Sequence, residues 1–170
     1  CAAMMLANDG HDVTVLERDP TPPPSPDIAW DEWDRRGVNQ FKMLHFFLAR
    51  FRQVAEAELP GLTDAMVAAG ALRMNPLAGI PEAITGGWRD GDERFDTVTA
   101  RRPVGESVVA SMAATTPGVT IRRGVGVSGV LTSTGPDGIA HVTGVGTDGG
   151  EQIEADLVVD AGGRRSAMPA

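Results

Sequence analysis

The run Gly10-His11-Asp12-Val13-Thr14-Val15-Leu16-Glu17 limits what this chain can fold into more than any other. Ahead of it, Ala2-Ala3-Met4-Met5-Leu6-Ala7 consists of good helix formers. Gly10 stands where a helix end takes a residue that tolerates positive φ. Val13 to Leu16 is a short run rich in β-branched residues, read as a buried parallel strand, and Glu17 closes it. Helix, Gly turn, strand and terminal acid form the second half of a dinucleotide-binding βαβ unit, where the acid bonds a ribose diol. Such an acid lies about 20 residues beyond a Gly-rich fingerprint. Counting back from Glu17 runs off the chain, so the first strand and the Gly loop are expected to be missing. A Rossmann-like unit using NAD, SAM or no nucleotide would read the same way here.

The chain of 170 residues is long enough for one domain with a real core. Its net charge of −8 argues against general binding to nucleic acid or to a membrane surface. No apolar run reaches spanning length, and no signal-peptide pattern opens the chain. With one cysteine there is no internal disulfide, which suits a reducing cytoplasm. Cys1 reads as a small packing residue rather than a nucleophile. Lys42 is the only lysine, and four Arg pairs occur: Arg35-Arg36, Arg101-Arg102, Arg122-Arg123 and Arg164-Arg165. The planar guanidinium fork suits phosphate oxygens, so such pairs are either anion sites or solvated charges.

Further along, Thr21-Pro22-Pro23-Pro24-Ser25-Pro26 is an extended loop, since proline excludes helix and central strand. Trp30 and Trp33 come next; they could stack on a ring, but covering the loop is favoured. Apolar spacing predicts a long helix from Phe41 to about Leu59, ended by Pro60-Gly61. Thr63 is expected to cap the next helix. Arg73 to Gly91 holds many Gly and Pro with no clear period, and residues 71–97 are a candidate contribution to a substrate-side region. Phe95 to Ala100 alternates as a strand, and Ser107 to Ala114 is helical. Three β segments then come with Gly-containing turns: Val119 into Leu131, Ile139 to Val145, and Ile153 to Val159. They are expected to form a β-meander. Leu157 to Val159 also reads as a buried strand, expected in one parallel sheet with Val13 to Leu16.

Two stretches fit G-x-G-x-x-G: Gly124 to Gly129 and Gly144 to Gly149. That motif needs a strand before it and a helix after it, because the helix N-terminus holds the pyrophosphate. Neither is succeeded by an amphipathic run, so both are rejected as nucleotide loops.

His11-Asp12-Val13-Thr14-Val15-Leu16-Glu17-Arg18 resembles the second strand of FAD-dependent monooxygenases of the para-hydroxybenzoate hydroxylase type. Arg35-Arg36-Gly37-Val38-Asn39-Gln40, with His45, resembles that family's Arg-x-Gly-Val element. Arg102-Pro103-Val104-Gly105-Glu106 resembles its Arg-x-x-Leu-Glu element, with Gly105 where Leu is usual. Asp160-Ala161-Gly162-Gly163-Arg164-Arg165-Ser166 resembles its second flavin fingerprint, with Gly162 where an Asp is common. These pieces span most of the chain in family order. The resemblance implies an α/β, glutathione-reductase-like FAD-binding Rossmann fold with a three-stranded β-meander. It implies a partial domain, 1–170, whose first strand and C-terminal part are missing. The family's Gly-Asp motif and most of its substrate sheet would lie beyond Ala170.

The same resemblance implies cofactor roles. Glu17 would bond the ribose, with Arg18 beside it. Arg35 would turn to the ribityl-phosphate region and Arg102 to the pyrophosphate–ribityl part. A backbone group near Val127 would face the adenine, and Gly162 and Gly163 would belong to the second fingerprint. His45 would line the substrate side or be a structural residue. The implied chemistry is that of FAD, with NAD(P)H as possible electron donor: reduced flavin takes up oxygen and the resulting C4a-hydroperoxide attacks a small organic substrate. No residue stands out as a general acid or base, and no metal site is expected. A flavin halogenase is a sibling reading, although its Trp-x-Trp-x-Ile-Pro motif is absent at Trp30 to Trp33. A non-catalytic nucleotide-binding fragment and an NAD-dependent dehydrogenase are the readings from other classes.

Overall fold

The computed structural model describes residues 1–35, 37–136, 138–163 and 166. In chain order its first elements are α1 (Ala2–Asn8), β1 (Val13–Glu17), α2 (Ala29–Glu32), β2 (Leu44–Phe46), α3 (Ala49–Glu58), α4 (Leu62–Ala68) and β3 (Leu72–Met74). Then come α5 (Glu82–Thr85), a 3-10 turn (Asp92–Phe95), β4 (Thr97–Arg101), α6 (Arg102–Thr115), β5 (Val119–Arg123), β6 (Val127–Thr134), β7 (Ala140–Thr147) and β8 (Gln152–Glu154). The chain divides into two units, Cys1–Val13 with Pro23–Thr120, and Thr14–Pro22 with Ile121–Ala170.

In the first unit, α1 stops where Gly10 takes φ of 92°. Gly10 N–H donates to Ala7 O at 3.0 Å and His11 N–H to Leu6 O at 3.1 Å, the paired reverse bonds of a Schellman ending. Gly70 ends α4 in the same manner. The core joins Met4, Ala55, Leu59, Leu62, Met66, Ala71, Val98, Ala100 and Val108, so α1, α3, α4 and α6 share it with one strand, β4. β4 is central in the antiparallel order β2-β4-β3. Phe46, Thr99 and Leu72 lie directly across from one another in that sheet. Leu44, Phe46, Leu72 and Met74 are exposed there, while Val98 and Ala100 point into the core. A smaller apolar group joins Ala29, Trp33 and Phe41, with Trp33 edge-on to Phe41 at 5.1 Å. Trp33 therefore covers its loop as favoured from the sequence.

The helix expected from Phe41 to Leu59 is shorter at its front. Phe41 is buried against Trp33, residues 44–46 form β2, and helix begins only at Ala49. Tertiary pairing overrides the local period, because a short apolar run serves either element. Two hydroxyls reinforce the pairing: Thr99 Oγ1 donates to His45 O at 3.1 Å, and Thr97 Oγ1 donates to Phe47 O. Thr63 does not cap α4. Gly61 precedes that helix with φ of 88°, and buried Thr63 turns its hydroxyl to Glu56 Oε1 at 3.4 Å.

Strand β1 pairs with β5. The pair runs parallel: Val13 N–H reaches Gly118 O at 2.8 Å near one end, and Val125 N–H reaches Glu17 O at 3.1 Å near the other. β6, β7 and β8 form a separate antiparallel sheet in sequential order. The first β segment of the expected meander is thus split. Residues up to Arg123 belong with β1, and those from Val127 start the three-stranded sheet. The break falls on two glycines. Gly124 has φ of 71°, and a Cβ on Gly126 would lie 2.0 Å from Asp148 Oδ2.

The strand expected at Leu157 to Val159 is not formed. Leu157 is 67% and Val159 59% exposed, and among the described residues β1 has β5 as its partner instead. A parallel strand is stabilised by burial on both faces, which this run does not have. The Gly-containing turn expected between Leu131 and Ile139 includes Asp137, which lies outside the described residues.

Both G-x-G-x-x-G matches fall in or beside strands, with no helix after either. Gly144 answers to packing: a Cβ there would sit 2.2 Å from Ile153 O, on the backbone of the neighbouring strand. Gly144→Ala should therefore loosen β7 from β8 and cost about 1–3 kcal/mol, as overpacking does. Loss of amide protection at Thr147 and Ala155, whose N–H groups donate across the β7/β8 pair to Glu151 O and Thr143 O, measures it. In the other unit, Leu62 is fully buried. Leu62→Ala should cost roughly 2–5 kcal/mol in urea unfolding, the usual cost of a core truncation.

Candidate functional site

β4 ends in Arg101 and α6 begins with Arg102 and Pro103, a residue suited to a first helical turn. The strand thus delivers two guanidiniums to a helix start. Arg102 Nε donates to Glu106 Oε1 at 2.6 Å, one turn along the helix, and its Nη1 donates to Asn39 O at 3.0 Å. Arg35 Nη1 donates to the other carboxylate oxygen, Glu106 Oε2, at 3.2 Å. The three charged side chains are 24–28% exposed. A cation in the first turn of a helix is unfavourable by itself, and Glu106, one turn along, offsets it.

Aromatic rings border this group. The Arg35 guanidinium lies 5.8 Å from the centroid of Trp33. Trp30 has Arg101 at 4.8 Å and Lys42 at 5.8 Å from its own ring. The structure thus brings together Arg35 and Arg102, two residues expected at a cofactor from separate motifs. Glu106 as their bridge was not foreseen. Its i, i+4 spacing from Arg102 was a usable signal. Its contact with Arg35, 71 positions away, had none.

The remaining expected site residues lie in the second unit. Glu17 closes β1, and its Oε1 accepts the Asp19 N–H at 2.9 Å, which fixes the carboxylate at the strand end. Arg18 is exposed just after it. Val127 opens β6 and pairs with Thr147. Gly162 N–H donates to Asp160 Oδ1 at 2.8 Å, Ser166 Oγ donates to Asp160 Oδ2 at 2.6 Å, and Gly163 takes φ of 69°. This is an aspartate-anchored turn, in which the side chain stands in for backbone pairing. Arg36, Arg164 and Arg165 lie outside the described residues. Arg122, expected as a possible anion ligand, is held instead by both oxygens of Glu151, at 2.9 and 2.6 Å. His45 lies edge-on to Phe47 at 4.8 Å, and its carbonyl accepts from Thr99.

A cleft of about 220 Å³ opens in the first unit between Arg52, Arg73, Met74, Asn75, Asp96 and Thr97. Its charges are mutually paired: Arg52 with Glu56, and Arg73 with Glu56 and Asp64. Among the described residues no cluster of His, Cys, Asp and Glu could hold a metal ion, and no helix is long and apolar enough to cross a membrane.

Over most of its length the backbone is similar in fold to solved structures of a longer protein. One such structure is the crystal structure of PqsL, a probable FAD-dependent monooxygenase from Pseudomonas aeruginosa, at a TM-score of 0.55 and 14% identity. The match covers 89% of this chain and 36% of that one. A mutant of PqsL matches at a TM-score of 0.54 and 12% identity, with the same coverage of 89% and 36%. The chain therefore spans little more than a third of the length of these structures, and the likeness is one of fold. No protein-family model and no curated protein matches.

The Asp160 turn carries a pH dependence. The Ser166 hydroxyl first, and the Gly162 N–H second, hold the Asp160 carboxyl below the usual aspartate range. A carboxylate depressed in the folded state contributes order above its unfolded pKa of about 3.9, and that contribution is lost as pH falls through the folded value. The Gly162 amide resonance should therefore move on acidification below about pH 4, the ordinary aspartate range. In Asp160→Asn that step should vanish.

Proposed function

We propose that this chain is the cofactor-binding portion of an FAD-dependent oxidoreductase, a monooxygenase by resemblance, acting on a small organic substrate. The observation that carries the reading is the backbone similarity to PqsL across 89% of the chain. The donor set of the first unit fits it, since two partly buried guanidiniums converge on one carboxylate. Guanidiniums are the side chains that bind phosphate oxygens in a planar, directed way.

In this reading Arg35 and Arg102 hold the diphosphate–ribityl part of FAD by charge-assisted hydrogen bonds. Glu17, with Arg18 beside it, receives the ribose hydroxyls, for which a fixed carboxylate offers acceptors. The backbone at Val127 meets the adenine, and the Gly162-Gly163 turn lets the chain approach the cofactor closely. The bound flavin supplies the redox chemistry, with NAD(P)H as its electron source. The protein binds it, orients it and excludes water.

The protein at its natural length should purify yellow when FAD is supplied. Arg102→Ala should weaken FAD binding by roughly 1.5–3 kcal/mol, the size of a hydrogen bond to a charged group. Arg122→Ala, whose guanidinium is already paired with Glu151, should change affinity little. Equal losses from the two would indicate general electrostatics. A protein that stays colourless would defeat the flavoprotein reading.

A further inference from the structure

Glu106 divides its carboxylate between two arginines from different parts of the first unit. Oε1 takes Arg102 Nε at 2.6 Å and Oε2 takes Arg35 Nη1 at 3.2 Å. Arg102 has a second anchor, since its Nη1 donates to Asn39 O at 3.0 Å. Two bonds from one guanidinium fix its plane as well as its position. Trp33 lies under Arg35, 5.8 Å from ring centroid to guanidinium carbon. Long cationic side chains lose rotamer freedom when they seize an anion. Side chains ordered beforehand lose less, which is the physical content of preorganisation.

Glu106 offsets the cations at the helix start, but that charge role does not serve the capture of an anion. A negative group beside two cations lowers their pull on any anion. Its value must be geometric if the arginines bind phosphate. We propose that Glu106 is a positioning residue that clasps Arg35 and Arg102 into one two-armed receptor for the diphosphate of FAD. The inference rests on the flavoprotein reading above and adds to it the residue that makes two distant arginines act as a unit. Glu106 itself touches no cofactor atom in this scheme. It acts through the two guanidiniums, and its loss uncouples them.

The sign of the effect separates this role from simple electrostatics. Glu106→Asp keeps the charge but is one methylene too short to span both guanidiniums. In the protein at its natural length it should raise the FAD dissociation constant on the order of tenfold, the scale of one or two side chains left unordered. With Glu106 present, Arg35→Ala and Arg102→Ala should be non-additive in FAD affinity. In the Glu106→Asp background their effects should add, as independent sites do. The same cycle in Glu106→Gln, which keeps side-chain length, preserves the test should the shorter variant fold poorly. A purely structural role would lower the unfolding midpoint and leave the FAD constant of the folded protein and the arginine coupling unchanged. That result overturns the proposal, as does arginine coupling that persists without Glu106. A wild-type protein that holds no FAD sinks both readings. One that holds FAD with uncoupled arginines sinks this one alone.

Discussion

Strand β4 is held from every side, and the first unit is arranged on it. Its Val98 and Ala100 enter the helical core, its two edges are taken by β2 and β3, and Thr97 and Thr99 spend their hydroxyls on the backbone of the β2 segment. A buried hydroxyl without a partner is costly, so those two bonds also fix where residues 45–47 run. The end of this clamped strand passes without a loop into α6. That continuity is what places Arg102 where Arg35 and Glu106 can meet it. A helix starting from a free loop would have no reason to present its first guanidinium at a set distance.

The parts of this arrangement that could be read from sequence were the local ones. A glycine after an apolar helix, a β-branched run ending in an acid, and an Arg-Pro step between strand and helix each carry their cause within a few residues. Gly10 and Val13 to Glu17 accordingly fall where periodicity and turn chemistry put them, and β4 does hand over to a helix at the Arg-Pro step, though α6 begins at Arg102 and not at the expected Ser107. What failed was decided at long range. Residues 44–46 have the apolar spacing of a helix and became a strand because β4 offered an open edge. Leu157 to Val159 has the composition of a buried strand, but among the described residues nothing pairs with it. Composition states what a segment can do; a partner decides whether it does.

The candidate site shows the same division. Its arginines could be singled out because the motifs that contain them are short and local. The carboxylate that joins them lies 71 positions from Arg35, and no pattern in the sequence links the two. The Glu151–Arg122 pair, 29 positions apart, is the converse case. An arginine that looks equally available for an anion is already engaged by its own chain. Arg122 gives both Nη atoms of its fork to one carboxylate, whereas Arg102 gives Glu106 only its Nε.

The glycines of the three-stranded sheet have a further consequence. Gly144 is small because the Ile153 carbonyl occupies the space a side chain would need, and Gly126 lies against the Asp148 side chain. Strand crowding and phosphate approach impose the same demand, room for a backbone with nothing on its α-carbon, and so they write the same letters at the same intervals. Such a chain imitates a nucleotide loop in sequence, twice over, where the next element is a strand and not a helix. The counterfeit is told from the true motif by the next element of the chain: a helix turns its amides toward an anion, whereas a strand has already given its amides to a neighbour.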